Sequence, residues 1–154
     1  MSRRLRLNEL PSDAVQICNL TCEFVDPAAF RLGHAYICHP ILDAGATDAA
    51  ELLSFARSLT PPGKGRLLIH CANGHGRTGM CAAVWLLAHG YAASADEAVK
   101  LIQKVRQGVS LRPRQYQLVR AAASLLSPPV EPAGASGAAV VGGAMGETHG
   151  PPPA

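Results

Sequence analysis

Apolar positions along the chain change period several times, and each change marks an element. Ala14-Val15-Gln16-Ile17-Cys18-Asn19-Leu20 alternates into an apolar run and predicts a strand, and Ala35-Tyr36-Ile37-Cys38 predicts a second, shorter one. Between them, Thr21 to Gly33 is polar and broken by proline, which predicts a loop. Thr47-Asp48 then caps a helix with Leu52, Leu53, Ala56 and Leu59 on one face, ended by Pro61-Pro62-Gly63. Arg66-Leu67-Leu68-Ile69 reads as a buried strand, His70 to Gly79 as a glycine-bearing loop, and Met80 to Ala88 as a buried helix stopping at His89-Gly90.

Ser94-Ala95-Asp96-Glu97 is a capping box. The helix it starts should turn Ala98, Val99, Ile102 and Val105 inward and Lys100, Lys104 and Arg106 outward. A last helix, from about Pro113 to Leu126, should bury Tyr116, Leu118, Val119, Ala122 and Leu125. Strands alternating with helices predict an α/β domain over residues 1–127, a mostly parallel sheet with helices on both faces. From Pro128 the chain is rich in Pro, Gly and Ala without periodicity, and residues 128–154 read as a disordered tail.

The chemistry concentrates in His70-Cys71-Ala72-Asn73-Gly74-His75-Gly76-Arg77-Thr78-Gly79. A strand, a glycine loop and a helix start place consecutive backbone N–H groups and a helix dipole around an anion. Cys71 leaves the strand where such a setting lowers a thiol pKa. Arg77 can clamp two phosphoryl oxygens with its planar fork, and the Thr78 hydroxyl can reach the thiolate. Together these describe phosphoryl transfer to sulfur. They do not make a Walker-type ATP loop, because no Gly-Lys-Ser/Thr follows the glycines.

His-Cys, five residues, then Arg-Thr-Gly, with glycine third after the cysteine, resembles the signature loop of the cysteine-dependent protein tyrosine phosphatases. The short chain is similar to their compact dual-specificity branch. The resemblance implies that Cys71 is the nucleophile, and that Ala72, Asn73, Gly74, His75, Gly76 and Arg77 hold the phosphate. It gives His70 a hydrogen bond inside the loop that keeps the thiolate low in pKa. Pro40-Ile41-Leu42-Asp43 is similar to the family's proline, apolar, any residue, aspartate segment, so Asp43 maps to the general acid, with Asp48 the competing carboxylate. Gln115 stands where similar proteins place a polar residue near the pocket. Ile17 to Thr21 resembles the family's first core strand, but only Arg3 to Pro11 precedes it, so the usual hairpin is shortened or absent. Arg112 and Arg114 read as surface charge.

Composition narrows the partners. The chain carries 14 Lys+Arg against 11 Asp+Glu, net +3; two acids and no base fall in the tail, which leaves the first 127 residues mildly basic. That suits an anionic substrate and is too scattered for nucleic acid. Cysteines 18, 22, 38, 71 and 81 form no zinc pattern, so no metal or other cofactor is expected. Their odd number, with no signal peptide, points to an intracellular, cytoplasmic setting. No apolar run is long enough to span a membrane. A monomer acting on phosphorylated protein is expected, with phosphoserine, phosphothreonine and phosphotyrosine all accepted by a shallow pocket. A phospholipid head group is the alternative substrate. A phospho-binding module without turnover and a sulfur-transferring loop of rhodanese type are the other readings of the same residues.

Overall fold

The computed structural model describes residues 10–42 and 47–126. Asp43, the Arg-Leu stretch before Leu10 and the tail assigned to 128–154 lie outside the described residues. Within them the order is β1 (Ala14–Asn19), a 3-10 helix (Ala28–Arg31), β2 (Ala35–Cys38), α1 (Ala49–Ser58), β3 (Arg66–His70), α2 (Gly76–Ala88), α3 (Ala95–Val105) and α4 (Pro113–Leu126). The described strands form one parallel sheet in the order β2-β1-β3. Each crossover passes through intervening structure, as parallel pairing demands.

α2 is the hub, since α1, α3 and α4 all pack on it and it lies against β3. Its Met80, Cys81, Ala83, Val84 and Leu87 join Cys18 and Leu20 of the sheet side, Leu52, Leu53 and Ala56 of α1, Ala98 of α3, and Val119 and Ala122 of α4 in one apolar core. Successive strand residues face opposite ways. Ile17, next to Cys18, therefore points to the other sheet face; it is fully buried, as is Phe30 in the 3-10 helix that packs on β2.

Polar groups fix the ends of these elements. Asp48 Oδ1 accepts from the N–H groups of Ala50 (2.8 Å) and Glu51 (3.0 Å), which settles its role as a helix cap. Ser94 Oγ accepts from Glu97 N–H at 3.2 Å, and the Glu97 carboxylate reaches back to Ala93 N–H at 2.8 Å, one residue earlier than the usual box. Gln16 Oε1 accepts from the backbone and hydroxyl of Thr60, whose carbonyl takes the Trp85 indole N–H. The loop between α1 and β3 is thus tied to both β1 and α2.

Three features differ from the sequence reading. α2 begins at Gly76, four residues before the apolar run at Met80, because the helix opens through the polar and glycine residues of the loop. Val105 was expected inward but is 87% exposed, at the end of α3 where an apolar groove opens toward β3. Leu125, also expected inward, is 55% exposed in the last turn of α4.

The site depends on how the strands end. Leu20 N–H donates to the His70 carbonyl (2.9 Å), His39 N–H to Asn19 and Ile41 N–H to Leu20. Pairing continues past the ends of β1 and β2, and the segment after β1 stays beside the last residue of β3. Open α/β sheets bind their ligands at this carboxyl end.

Candidate active site

Cys71 follows the last residue of β3 directly and is 8% exposed. Gly74 N–H donates to its Sγ at 3.2 Å. That geometry needs a turn with Gly74 at φ +69°, a conformation costly for any residue with a Cβ. Burial pushes the Cys71 thiol up, but the Thr78 hydroxyl and amide and the Gly74 and Asn73 amides outweigh it, and the pKa falls below its ordinary value. Thr78 Oγ1 is buried with no geometrically aligned partner, which leaves its hydrogen able to turn toward the sulfur. The contrast with other cysteines is sharp. A hydrogen bond with Cys18 and complete burial raise Cys81 well above the usual thiol range, and burial raises Cys38.

Arg77 sits in the first turn of α2 at 2% exposure. Its Nη1 donates to Glu23 Oε2 (2.9 Å) and to the Ile41 carbonyl (2.9 Å), and its Nη2 meets Glu23 Oε1 at 2.7 Å. The two-pronged pairing fixes the plane of the fork. The bond from Arg77 holds the Glu23 carboxyl down at about 2, against a smaller opposing effect of desolvation. Glu23 was not picked out from sequence: it lies 54 positions from Arg77 in an irregular loop. The available signal was an acid just beyond the carboxyl end of a core strand, where ligand sites form.

His70 is buried, and its Nε2 approaches Asp26 Oδ2 at 2.9 Å without the alignment of a proper hydrogen bond. Asp26 also accepts from the Tyr36 hydroxyl (2.7 Å), which takes a bond from Asn19 Nδ2 (3.2 Å). Asn19 Oδ1 in turn accepts from Thr21 N–H (2.8 Å) and hydroxyl (2.7 Å). Burial lowers the His70 pKa more than Asp26 raises it, which favours the neutral ring. The partner of His70 is therefore an acid of the loop after β1, and Asp26, Tyr36 and Asn19 are site residues that the sequence did not reveal.

Gln115 is buried against the loop: a Cβ on Gly76 would lie 2.9 Å from its Nε2. Its Oε1 accepts from Arg112 N–H at 3.0 Å, which positions the start of α4 over the signature loop. The His75 ring packs on the Gly108 backbone, with Nδ1 on the Gly108 carbonyl at 2.6 Å. The structure thus brings together Cys71, Arg77, Thr78, His70 and Gln115. Among the described residues no group of three or more His, Cys, Asp and Glu could hold a metal ion.

A buried thiol of lowered pKa with an amide on its sulfur, and a fixed guanidinium in the first turn of the helix that follows, are thus set at the carboxyl end of β3. Residues 16–124 match the family model of the Swiss Army Knife protein DSP-PTPase phosphatase domain. The chain belongs to that family. This DSP-PTPase domain is a cysteine-based phosphatase of the compact dual-specificity kind, which the signature loop anticipated. No curated protein matches its sequence. Solved structures share the fold. Human DUSP28 is 20% identical, with 75% of this chain and 80% of that one covered, at a TM-score of 0.63. Tk-PTP in its active form is 24% identical over 73% and 80%, also at 0.63. PTPMT1 in complex with PI(5)P is 22% identical over 82% and 85%, at 0.61.

Proposed function

We propose that this DSP-PTPase domain hydrolyses phosphomonoesters on proteins, phosphotyrosine together with phosphoserine and phosphothreonine, through a phosphocysteine. The observation that carries the reading is the lowered Cys71 thiol with Gly74 N–H on its sulfur, six residues before Arg77 in the first turn of α2. The thiolate attacks phosphorus, the S–P bond forms and the P–O bond to the substrate breaks. Arg77 and the loop amides stabilise the equatorial oxygens, and a protonated carboxyl gives its proton to the leaving oxygen. Water then attacks the phosphocysteine, and the same carboxylate takes its proton, releasing phosphate and the thiolate.

Asp43 is our assignment for that acid. Glu23 is held ionised by Arg77, Asp48 caps α1, and Asp26 is buried against Tyr36 and His70. All three are thus engaged in other contacts. The Ile41 carbonyl on Arg77 lies two residues before Asp43 in the sequence, which supports that assignment.

Protein substrates are favoured because the loop side chains between Cys71 and Arg77 add no lysine or arginine for a polyphosphorylated head group. Rates on phosphotyrosine and phosphothreonine peptides, phosphoinositides and phosphorylated sugars test the reading. Peptides should have the highest kcat/KM; a phosphoinositide turned over faster than both peptides overturns the substrate assignment.

A further inference from the structure

Two cysteines stand beside the carboxylate that holds Arg77, and the chemistry at Cys71 uses neither. Cys22 and Cys38 are both free and exposed. Cys38 ends β2, where it is paired in register with Asn19 of β1. Cys22 follows Asn19 by three residues, in the irregular loop after β1. That loop keeps close to β2. The Cys38 Sγ lies 4.0 Å from the Thr21 carbonyl oxygen, one peptide bond before Cys22. Ordinary backbone dimensions add about 3 Å from that oxygen to the Cys22 Cα, which puts the Cys38 sulfur within about 7 Å of it. A disulfide needs its two Cα atoms about 4.4–6.8 Å apart. Bridging therefore asks at most a few ångströms of a loop that belongs to no helix or strand. Cys18 and Cys81, by contrast, are fully buried in the core and shielded from a soluble oxidant.

Cys22 is also tied to Arg77 through one oxygen. Its N–H donates to Glu23 Oε2 at 3.1 Å, and its Sγ lies 3.9 Å from the same atom. That oxygen accepts the Arg77 Nη1 bond at 2.9 Å. Cys38 cannot come to meet Cys22, because the β1–β2 pairing and the His39 N–H on the Asn19 carbonyl hold its backbone. The loop must do the moving. Drawing Cys22 toward β2 takes its N–H and its thiol from Glu23, and the carboxylate then loses its fixed seat on the Arg77 fork.

We propose that Cys22 and Cys38 form a redox-active dithiol, separate from Cys71, whose oxidation by a small disulfide such as glutathione disulfide loosens Arg77 through Glu23. The effect on rate rests on the phosphatase reading; the dithiol itself does not. Desolvation raises the Cys38 thiol, so the first exchange falls to Cys22. The Cys22 thiolate attacks one glutathione sulfur, the glutathione S–S bond breaks, and a glutathione thiolate leaves. The Cys38 thiolate then attacks the Cys22 sulfur of the mixed disulfide, the Cys22–Cys38 bond forms, and the second glutathione leaves. The two cysteines give up two electrons and two protons. Glutathione disulfide takes up both and ends as two glutathiones.

The test treats the full chain with glutathione disulfide in the presence of inorganic phosphate, which shields Cys71, and maps its disulfides by peptide mass spectrometry. A Cys22–Cys38 bridge should form in wild type and in Cys71→Ser alike, and dithiothreitol should remove it. After the phosphate is removed, oxidised wild type should hydrolyse an aryl phosphate about five- to thirtyfold more slowly than the reduced enzyme, the range expected when Arg77 loses its fixed plane. Cys22→Ser and Cys38→Ser should each keep their own untreated rate after the same oxidation. No Cys22–Cys38 bridge in Cys71→Ser overturns the site, as does a bridge from Cys71 to either cysteine in its place in wild type. A bridge that forms without changing the rate overturns the link through Glu23, and so does a loss of rate shared by both serine variants. Reduced wild type that turns over no aryl phosphate contradicts the phosphatase reading instead, whether or not the bridge forms.

Discussion

Replacing Glu23 by Gln isolates what holds Arg77 in place. The carboxylate accepts from both ends of the fork, at 2.7 and 2.9 Å, whereas an amide offers one oxygen and no charge. The Ile41 carbonyl bond on Nη1 remains, so the guanidinium keeps one anchor and loses its fixed plane. A hydrogen bond to a charged group contributes about 1.5–3 kcal/mol when buried. The Glu23 side chain is 41% exposed, so solvent screening reduces that to about 1–2 kcal/mol. Spent on orienting Arg77 in the transition state, this is about a 5- to 30-fold fall in kcat/KM on an aryl phosphate, with a comparable weakening of vanadate inhibition. The pH dependence supplies an independent check. The native carboxyl is lowered from 4.5 to about 2, so its contribution to stability is fully present above pH 4.5 and fades as pH falls toward 2. Glu23→Gln should flatten stability across that window and leave the pH–rate profile between 5 and 8 unchanged in shape. If kcat/KM is unaltered, Glu23 does not position Arg77; if the variant loses its high-pH limb, the acid has been assigned to the wrong carboxylate.

Four further substitutions test the rest of the site. Asp43→Asn should slow an alkyl phosphate by about 10²–10⁴-fold and an activated aryl phosphate much less. Asp48→Asn should show no leaving-group dependence and cost about 1 kcal/mol or less of helix capping; the reverse pattern in parallel rate series would move the acid to Asp48. Thr78→Val removes a hydroxyl that lowers the Cys71 thiol, so the rising limb of iodoacetamide alkylation against pH should move upward; an unmoved limb excludes that hydroxyl from thiolate stabilisation. Asp26→Ala removes the acceptor of the half-buried Tyr36 hydroxyl and the carboxylate beside the buried His70, and should cost about 1–3 kcal/mol in urea unfolding; an unchanged midpoint would mean water replaces the carboxylate.

The parts of the site that are local in sequence were legible in it. A strand, five residues and an arginine at a helix start specify the cradle, because backbone geometry alone brings them together. Asp48 and Ser94 were readable as caps for the same reason. Glu23 and Asp26 were hidden, since an irregular loop has no period to show which side chains return to the sheet end. The onset of α2 was hidden as well: Gly76 and Gly79 are poor helix formers, and packing against Gln115 and Val109 selects them there. Val105 continued the apolar face of α3 past the point where that face is covered, which periodicity cannot sense.

The central claim is that Cys71 carries the phosphoryl group. Acid quenching of the enzyme during turnover of a phosphotyrosine peptide, followed by peptide mass spectrometry, reads this directly. One added phosphate on the peptide containing Cys71, accumulating further in Asp43→Asn and absent from Cys71→Ser together with turnover, is the predicted result. Near wild-type turnover in Cys71→Ser, or phosphate trapped on another side chain, would contradict it.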